Sequence, residues 1–562
     1  MKMKKIFLLF FLPALLVGCT TWLDVNKDPN NPTDVPMTLL LPTIEINAAY
    51  TLAPGQGLGE DLAVYTHQVS TREAANVYNA DGNEFYLNQA WNSMYITTLQ
   101  NLDNVIVKAD ASNAPYYSGI GKILKAYMFS QFVDVFGDIP FSQANKKASD
   151  GILYPKFDKS ADIYPLLIAL LDSGIVDMKK PVAAITPGAD DLIFGGSAKS
   201  WIKTANTIKL KLLIQTRLVG DKAKNLAAIN TFLTATPATE LIGKTSEGFM
   251  FPYSSVRTPD QRHPAYPATY EATQKTDDMS PWFYEILKGK NPLFSGIIDP
   301  RIPYYFYNQM DPKATAGNDG NSFEYRDGGF VSIYFGSNGP DNGRAQDKSQ
   351  TVYGIYPCGG RYDQGDAQVV SATSGTGAAP YRFLTYADRL FLEAEVIQAG
   401  GGDATAKLTS AITEAFKLVD YVAGKANGSQ SIPVLAGSSN ATDYINAIIG
   451  LYTAGSAEKK MEIIMTQKWI SSFGSSIDQY TDYRRTGYPV LFDPNNAVSV
   501  TPPIGGDPSR TTGSDPAVNV SCPRGFPRSL PWAITNELNV NKNAPAEKSD
   551  LTSPYVFWDL KK

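Results

Sequence analysis

The segment KAYMFSQFVDVFGDIPFSQA, residues 125–144, combines an apolar helical face with a stop signal. Met128 and Phe132 continue a four-residue spacing that begins at Leu124, which is the spacing of side chains on one face of an α-helix. Gly137 follows the last apolar residues, and a proline lies three residues beyond it. This order is typical of a helix C-terminus. The sequence therefore predicts a helix that is buried on one face and ends at Gly137.

Similar spacings predict helices on both sides of a region that lacks helical periodicity. The helical parts are expected at about 38–218 and 381–480. Individual helices are predicted at 200–218, 381–401, 406–422 and 458–473. Between 243 and 380, Gly, Pro, Asn, Asp and Ser alternate with aromatic residues, which predicts a long loop-rich insertion. The proline-rich tail, 488–562, is predicted to be irregular, and we expect residues 38–562 to form one mainly α-helical domain.

The N-terminus has the layout of a secretory signal. Lysines precede an apolar run at residues 6–17, and the run ends in LVGC at 16–19. Its 12 residues are fewer than the roughly 20 that a transmembrane helix needs, which disfavours a membrane span. The ending looks like a bacterial lipobox, so residues 1–18 are predicted to be removed and Cys19 to be lipidated. Residues 19–37, rich in Pro, Asn and Asp, are predicted to be a membrane-proximal leader.

Composition argues against several classes of partner. The formal net charge of −5 does not fit nucleic-acid binding, which needs a basic surface. The two histidines, His67 and His263, are far apart in the chain and follow no metal-ligand spacing, so we expect structural or surface roles for them. No metal and no cofactor is predicted. Beyond the anchor, the sequence leaves open whether Cys358 and Cys522 form a disulfide.

No motif in the sequence indicates catalysis. ATELIGKT at 238–245 matches a relaxed phosphate-loop pattern but lacks the strand before it and the helix after it. DVNKDPNN at 24–31 begins like a calcium loop but lacks the required glycine and closing glutamate. Glu393 and Glu395 are two residues apart on a predicted helix and point to different faces, so no joint acid–base role is expected. A glycosidase pair is defined by distance in space, so the sequence leaves that alternative open.

Aromatic residues are abundant where no helical face needs them. The chain has 31 Tyr, 26 Phe and 7 Trp, many of them in the irregular segments. Tyr and Trp combine an apolar ring face, which can stack on a sugar ring, with a polar group. A buried role in anchoring a loop is the more common alternative for any single residue. As a group, these aromatics predict a ligand-binding surface.

Six segments, taken in order, resemble one family. They are KAYMFSQFVDVFGDIPFSQA (125–144), PKFDKSADIYPLLIALL (155–171), WIKTANTIKLKLLIQT (201–216), DPRIPYYF (299–306), FLTYADRLFLEAE (383–395) and QKWISSFGSSIDQYTDYRRTGYPVL (467–491). Their order is similar to that of the signature segments of the SusD/RagB family of outer-membrane lipoproteins. The resemblance runs from Cys19 to about Ala544. One departure is Trp532, which stands in a stretch where an Arg-x-Pro-Tyr-Pro-like pattern is expected.

The resemblance implies a scaffold of four tetratricopeptide-like helix pairs with long irregular, aromatic-rich insertions. It also implies a lipid-anchored, outer-membrane protein that faces the cell surface and is not an enzyme. Its implied role is to capture oligosaccharides and deliver them to a SusC-type TonB-dependent transporter. The same architecture with a peptide or another nutrient as ligand is the first alternative, which fewer stacking aromatics and more charged groups in the site would favour. A lipoprotein glycosidase is the second.

The signature segments are mostly scaffold, so the resemblance assigns no ligand-binding residue. Asp482, Arg484 and Arg485 are interpreted as helix-end charge pairing and capping. The site prediction therefore rests on position, in the segment 72–91 and in the aromatic insertions. The predicted ligand-binding residues are Arg72, Tyr78, Asn79, Trp91, Tyr266, Trp282, Tyr284 and Tyr325.

Overall fold

The computed structural model describes residues 35–55, 57–80, 84–313, 325–337, 347–491 and 522–560. The predicted signal peptide, Cys19, the calcium-loop-like stretch and nearly all of the predicted leader lie outside these residues. Among the helices of the described ranges, none combines the length and apolar character that a membrane span requires.

Most of the described structure is helical, as predicted. The α-helices are α1 (Met37–Leu52), α2 (Gly59–Tyr65), α3 (Glu84–Asn92), α4 (Gln100–Ala111), α5 (Pro115–Phe136), α6 (Lys147–Asp150), α7 (Ser160–Met178), α8 (Ala198–Gln215), α9 (Lys222–Ala235), α10 (Pro281–Leu287), α11 (Ile302–Tyr305), α12 (Ile355–Cys358), α13 (Tyr386–Ala399), α14 (Thr405–Ala426), α15 (Ser439–Ala454), α16 (Ala457–Ser471) and α17 (Ser476–Thr486). A π-helical segment, Ser93–Leu99, joins α3 to α4 without a break. Residues 84–111 therefore form one continuous rod.

The strands are short and form antiparallel pairs. They are β1 (Val69–Thr71) with β5 (Asp277–Met279), β2 (Ile139–Pro140) with β3 (Phe157–Asp158), β4 (Phe249–Phe251) with β10 (Tyr381–Leu384), β6 (Phe306–Tyr307) with β9 (Val352–Tyr353), and β7 (Tyr325–Asp327) with β8 (Phe330–Ser332). Because each pair within the described residues stays two-stranded, the strands tie loops to the helical body and do not build a separate layer. In the part of 243–380 that the structure describes, several of these strands alternate with short helices and connecting loops.

Helix α5 is a deeply buried helix around which its neighbours pack. It packs against α4, which precedes it in the chain, and against α7, which comes later in the chain. Gly119 permits the close approach to α7, because a Cβ there would lie 2.6 Å from the sulfur of Met178. The helix ends at Phe136, and Gly137 adopts a φ of 79°, so the predicted stop at Gly137 is confirmed.

The prediction of a helix at 381–401 is wrong at the N-terminal end. Residues 381–384 form β10, which pairs with β4, and α13 begins only at Tyr386. Thr385 caps this helix: its backbone N–H donates to Asp388 Oδ2 over 2.8 Å, and the N–H of Asp388 donates to Thr385 Oγ1 over 3.2 Å. This capping box fixes the helix start, while pairing with a distant strand keeps the preceding residues extended. The other three predicted helices correspond to α8, α14 and α16 within a few residues at each end.

The predicted helix-end charge pairing in α17 is confirmed by Asp482 and Arg485, but the charged residues there are buried and also contact other segments. Arg485 forms ion pairs with Asp482 on its own helix and with Glu395 on α13. Arg484 lies between the rings of Tyr480 and Trp558, with its guanidinium carbon 4.0 and 4.8 Å from their centroids. These contacts join α13, α17 and the C-terminal segment inside the protein.

Candidate functional site

A groove of about 560 Å³ lies between α1, the rod of residues 84–111 and a C-terminal turn at Ile534–Leu538. Five of its lining residues carry amide side chains beside apolar surface, and we call it the amide groove. They are Asn47, Asn88, Gln89, Asn92 and Asn536. The other lining residues among those described include no Asp, Glu, Lys, Arg or His. Such a surface offers both hydrogen-bond donors and acceptors without a net charge.

Helix α1 runs antiparallel to the rod and forms one wall of the amide groove. At one end, Lys108 Nζ donates to the carbonyl of Val35 over 2.7 Å. At the other end, the hydroxyls of Thr51 and Ser93 are 2.6 Å apart. Ser93 begins the π-helical segment, which also supplies Ile96 and Thr97 to the groove. Single π-helical turns within α-helices are frequent at functional sites, so this local geometry is consistent with a binding role.

The C-terminal turn forms the second wall and is held by side chains of α3. Trp91 Nε1 donates to Glu537 Oε2 over 3.2 Å, and the backbone N–H of Asn536 donates to Asn88 Oδ1 over 3.3 Å. Burial raises the pKa of Glu537, although the hydrogen bonds from Asn541 and Trp91 act in the opposite direction. The hydroxyl of Thr535 donates to Glu84, which helps to lower the pKa of that carboxyl at the rim. The turn is therefore fixed against α3 from three positions.

Phe85 is the more exposed of two aromatic residues that line the amide groove, the other being Tyr50. Its side chain is 73% exposed, and that of Ile96, on the next stretch of the rod, is 62% exposed. Tyr86 contacts the Phe85 ring edge-on, with centroids 5.5 Å apart. A large aromatic side chain is usually well buried, and an exposed one beside a polar groove is a candidate for ligand contact.

Of the predicted site residues, Trp91 lies behind the amide groove and the other three in the 72–91 segment lie outside it. Trp91 is buried and positions the C-terminal turn. Tyr78 is also buried, and its hydroxyl is 2.8 Å from Nε2 of His67. Arg72 is 3.9 Å from Asp278, and Asn79 is half-buried. The amide groove thus takes side chains from the segment 72–91, but they are different ones from those predicted.

Three aromatics predicted in the insertions hold loops in place. Tyr266 stacks on Tyr270 at 4.7 Å and donates its hydroxyl to the carbonyl of Gly375 over 2.9 Å. Tyr284 stacks on a phenylalanine ring at 3.9 Å, and its hydroxyl donates to a nearby carboxylate. Tyr325 is fully buried and donates to a glutamate over 2.9 Å. Because other protein groups cover these rings, the expectation of open stacking faces at these positions is corrected.

Trp282, the remaining predicted residue, is buried and lines a separate, smaller pocket. Its ring does not contribute to the amide groove.

The two glutamates of α13 form ion pairs, and the described residues show no arrangement for metal binding. Glu393 pairs with Arg389 and Glu395 with Arg217 and Arg485, so the two glutamates point to different faces, as predicted. Within the described ranges, no three His, Cys, Asp or Glu side chains come together as metal ligands. Both histidines are buried, as structural residues are.

The remaining motifs are also structural. The phosphate-loop-like stretch forms two separate 3₁₀ turns, Ala238–Glu240 and Thr245–Glu247, and so lacks the strand–loop–helix context of that motif. Cys358 is a buried thiol, which shows that no disulfide joins it to Cys522. Burial raises the pKa of the Cys358 thiol.

Comparisons with known proteins identify the family. The family model SusD-like_2, described as "Starch-binding associating with outer membrane", matches residues 29–504. The chain belongs to the SusD-like family. No curated protein sequence matches it.

Solved structures of SusD-like proteins share the fold. A SusD/RagB family protein from Bacteroides thetaiotaomicron aligns with a TM-score of 0.66 and 18% identity, over 94% of this chain and 100% of that one. A SusD homologue from Bacteroides fragilis aligns with a TM-score of 0.63 and 19% identity, over 94% and 100%. A structure described as a chitin-binding protein aligns with a TM-score of 0.62 and 18% identity, over the same shares. SusD-like proteins form a nutrient-binding family associated with the outer membrane.

Proposed function

We propose that this SusD-like protein is not an enzyme, and that it binds a neutral oligosaccharide in the amide groove and delivers it to a SusC-type TonB-dependent transporter. The observation that carries the proposal is the pairing of an uncharged amide lining with the exposed ring of Phe85. Side-chain amides donate to and accept from sugar hydroxyls, and an aromatic ring covers the apolar face of a sugar. The family description, which names starch binding and the outer membrane, supports the same role.

The composition of the amide groove favours this ligand over the two alternatives. A peptide ligand carries charged termini and side chains, and the described lining of the groove offers no charged partner for them. Glycoside hydrolysis needs two carboxyl groups roughly 5–9.5 Å apart across the substrate. Among the described residues, no carboxylate belongs to the lining, and Glu84 at the rim is hydrogen-bonded to Thr535.

The proposed delivery requires that the protein be held at the outer membrane. We propose lipidation at Cys19 as the anchor, because the residues at 16–19 match a lipobox and the family is associated with that membrane. Two or more acyl chains hold a protein stably at a membrane surface. In this arrangement the body of the protein faces outward and meets its transporter partner at the same membrane.

The test is binding of the purified protein to neutral oligosaccharides and to peptides, by calorimetry and affinity electrophoresis. We expect oligosaccharide binding without hydrolysis, and roughly five- to tenfold weaker binding for Phe85→Ala, because an aromatic contact contributes on the order of 1 kcal/mol. The control is Val434→Ala, which removes another exposed apolar side chain, 71% exposed, outside the groove. Equal affinity of the Phe85 variant and the control would contradict the assignment of the groove. Cleaved products would indicate an enzyme, and binding of peptides alone would indicate the other alternative.

A further inference from the structure

The C-terminal turn that walls the amide groove lies within a longer segment, residues 529–548, which we call the C-terminal loop. Side chains of α3 hold the turn itself. The two ends of the loop are joined by Lys548, whose Nζ donates to the carbonyl of Leu530 over 2.6 Å and to the hydroxyl of Ser529. One side chain therefore closes the base of the loop.

The same amine attaches the loop to the helical body. Lys548 Nζ donates to the carbonyl of Phe136 over 2.7 Å. Phe136 is the last residue of α5, and the final carbonyls of a helix have no partner within the helix. A cation is also favourable at a helix C-terminus, where the helix dipole is negative. Lys548 thus ties the base of the C-terminal loop to the deeply buried helix of the fold.

The surroundings of Lys548 are suited to a cation. The residue is 7% exposed, and the rings of Trp532 and Tyr555 lie against Nζ, with their centroids 4.3 and 4.8 Å away. An ammonium group has three N–H donors, one for each of the three oxygens. Burial lowers the pKa of Lys548, whereas the oxygens and the rings stabilise the ammonium form. Trp532, the departure from the expected family pattern, therefore contributes to this contact.

The base of the loop is close to the groove along the chain. Trp532 Nε1 donates to the carbonyl of Asp138 over 2.9 Å, which adds a second attachment beside Lys548. Only Ala533 separates Trp532 from the C-terminal turn. Two lining residues of the groove, Thr535 and Asn536, belong to that turn. A displacement at the base is therefore transmitted to the groove wall within a few residues.

We propose that Lys548 is a positioning residue for the amide groove, because it fixes the C-terminal loop whose turn forms the second wall. Lys548 is not among the described lining residues, so it acts on the ligand through the turn. The inference rests on the proposed function and deepens it, because it names a residue behind the groove that determines the affinity for the oligosaccharide.

The test replaces Lys548 with methionine, which has a side chain of similar length and cannot form the three hydrogen bonds. The purified full-length protein is studied well below the melting temperature of each variant, by calorimetry with oligosaccharides and by hydrogen–deuterium exchange. We expect roughly three- to tenfold weaker binding, because the groove wall is then in place in only a fraction of the molecules. Exchange of the backbone amides in 530–541 should become faster, while exchange in α1, the other wall, should not change.

The matched control is Lys203→Met on α8. Lys203 is also 7% exposed, but it pairs with Glu247 and lies outside the described groove lining. A general loss of stability would affect both variants, whereas a displaced groove wall would affect only Lys548→Met. If Lys548→Met does not fold, Ser529→Ala removes one of the three acceptors and should produce smaller changes in the same direction.

Faster exchange in 530–541 together with weaker binding in Lys548→Met, and neither change in Lys203→Met, would support the positioning role. Oligosaccharide binding that depends on Phe85 but is equally strong in wild type and Lys548→Met would overturn this role and leave the proposed function intact. Unchanged exchange in 530–541, or equal weakening of binding by both lysine variants, would also overturn it. Absence of oligosaccharide binding by the wild type would contradict the proposed function and this inference together.

Discussion

Replacing Glu395 with glutamine should destabilise the protein strongly, because this carboxylate neutralises two buried guanidinium groups. Glu395 is completely buried on α13. Its Oε1 is 2.6 Å from Arg217 Nε, and its Oε2 is 2.9 Å from Arg485 Nη2. Burial opposes ionisation of Glu395, but the two arginines more than offset it, and the pKa of the carboxyl lies well below its ordinary value. Glu395→Gln keeps the shape of the side chain and removes the negative charge that balances the two arginines.

The expected loss is about 3–5 kcal/mol in the free energy of unfolding, which is typical when one partner of a buried ion pair is removed. The control is Glu393→Gln on the same helix. Glu393 pairs with Arg389 and with Lys407, whose side chain is about one-third exposed, so water can replace part of the lost interaction. Glu393 and Arg389 are themselves largely buried, but Arg389 keeps a hydrogen bond to the carbonyl of Ile242, so we expect a smaller loss for this variant than for Glu395→Gln. Urea denaturation of the wild type and both variants, followed by tryptophan fluorescence, measures the difference.

The pH dependence gives a second test of the same reasoning. The pKa of Glu395 is lower in the folded state than in the unfolded state, where it is about 4.3, so its contribution is present above that pH. As the pH falls below about 4, the unfolded state takes up a proton that the folded state does not, and the contribution is lost. The difference between wild type and Glu395→Gln should therefore shrink in acid. The argument would be refuted if Glu395→Gln and Glu393→Gln lost the same free energy of unfolding at neutral pH. It would also be refuted if the stability difference between wild type and Glu395→Gln did not shrink in acid.

Two further predictions concern the groove wall and the histidines. Trp91→Phe keeps an aromatic ring in the core but removes the hydrogen bond to Glu537. We expect the loosened C-terminal turn to weaken oligosaccharide binding severalfold, as measured by calorimetry. Unchanged affinity would count against the positioning role of Trp91. Burial lowers the pKa of His67 and His263 to about 3, so both are neutral when folded, and stability should fall as the pH drops below about 6.5. At pH 5 the two histidines together should lower the free energy of unfolding, measured by urea denaturation, by up to about 4 kcal/mol. A urea midpoint that does not change between about pH 7 and 5 would exclude this effect.

The sequence predicted the fold well where local signals and tertiary packing agree. Gly137 ends α5 because the glycine and the end of the apolar run coincide. The prediction failed at Tyr381–Leu384, where pairing with Phe249–Phe251 decides the conformation. That partner lies more than a hundred residues away, so no local pattern reveals it. The capping pair Thr385 and Asp388 was nevertheless visible in the sequence and marks the true helix start.

The site was harder to predict than the fold, because an aromatic side chain is available to a ligand only if no other part of the chain covers it. Tyr266 and Phe85 both lie near turn-forming residues in the sequence. Tyr270 and the loop at Gly375 cover Tyr266, whereas Phe85 remains exposed to solvent. The one sequence signal that could have indicated the groove is the concentration of amide side chains in the segment around Phe85, from Asn79 to Asn92.

The signature segments identify the family but not the ligand, and the buried contacts explain why. The segment 467–491 makes a side-chain contact with four of the other five signature segments. These contacts are Arg484 with the carbonyl of Asp134, Asp478 with Lys211, Gln467 with Arg301, and Arg485 with Glu395. The remaining segment, 155–171, is connected through the hydrogen bond of Tyr164 to Asp134. Buried charges tolerate few replacements unless their partners change too, so such a network makes the sequence of a scaffold recognisable. The amide groove takes its lining from α1, the rod and the C-terminal turn, outside all six segments, and its chemistry can therefore differ between proteins that share this scaffold.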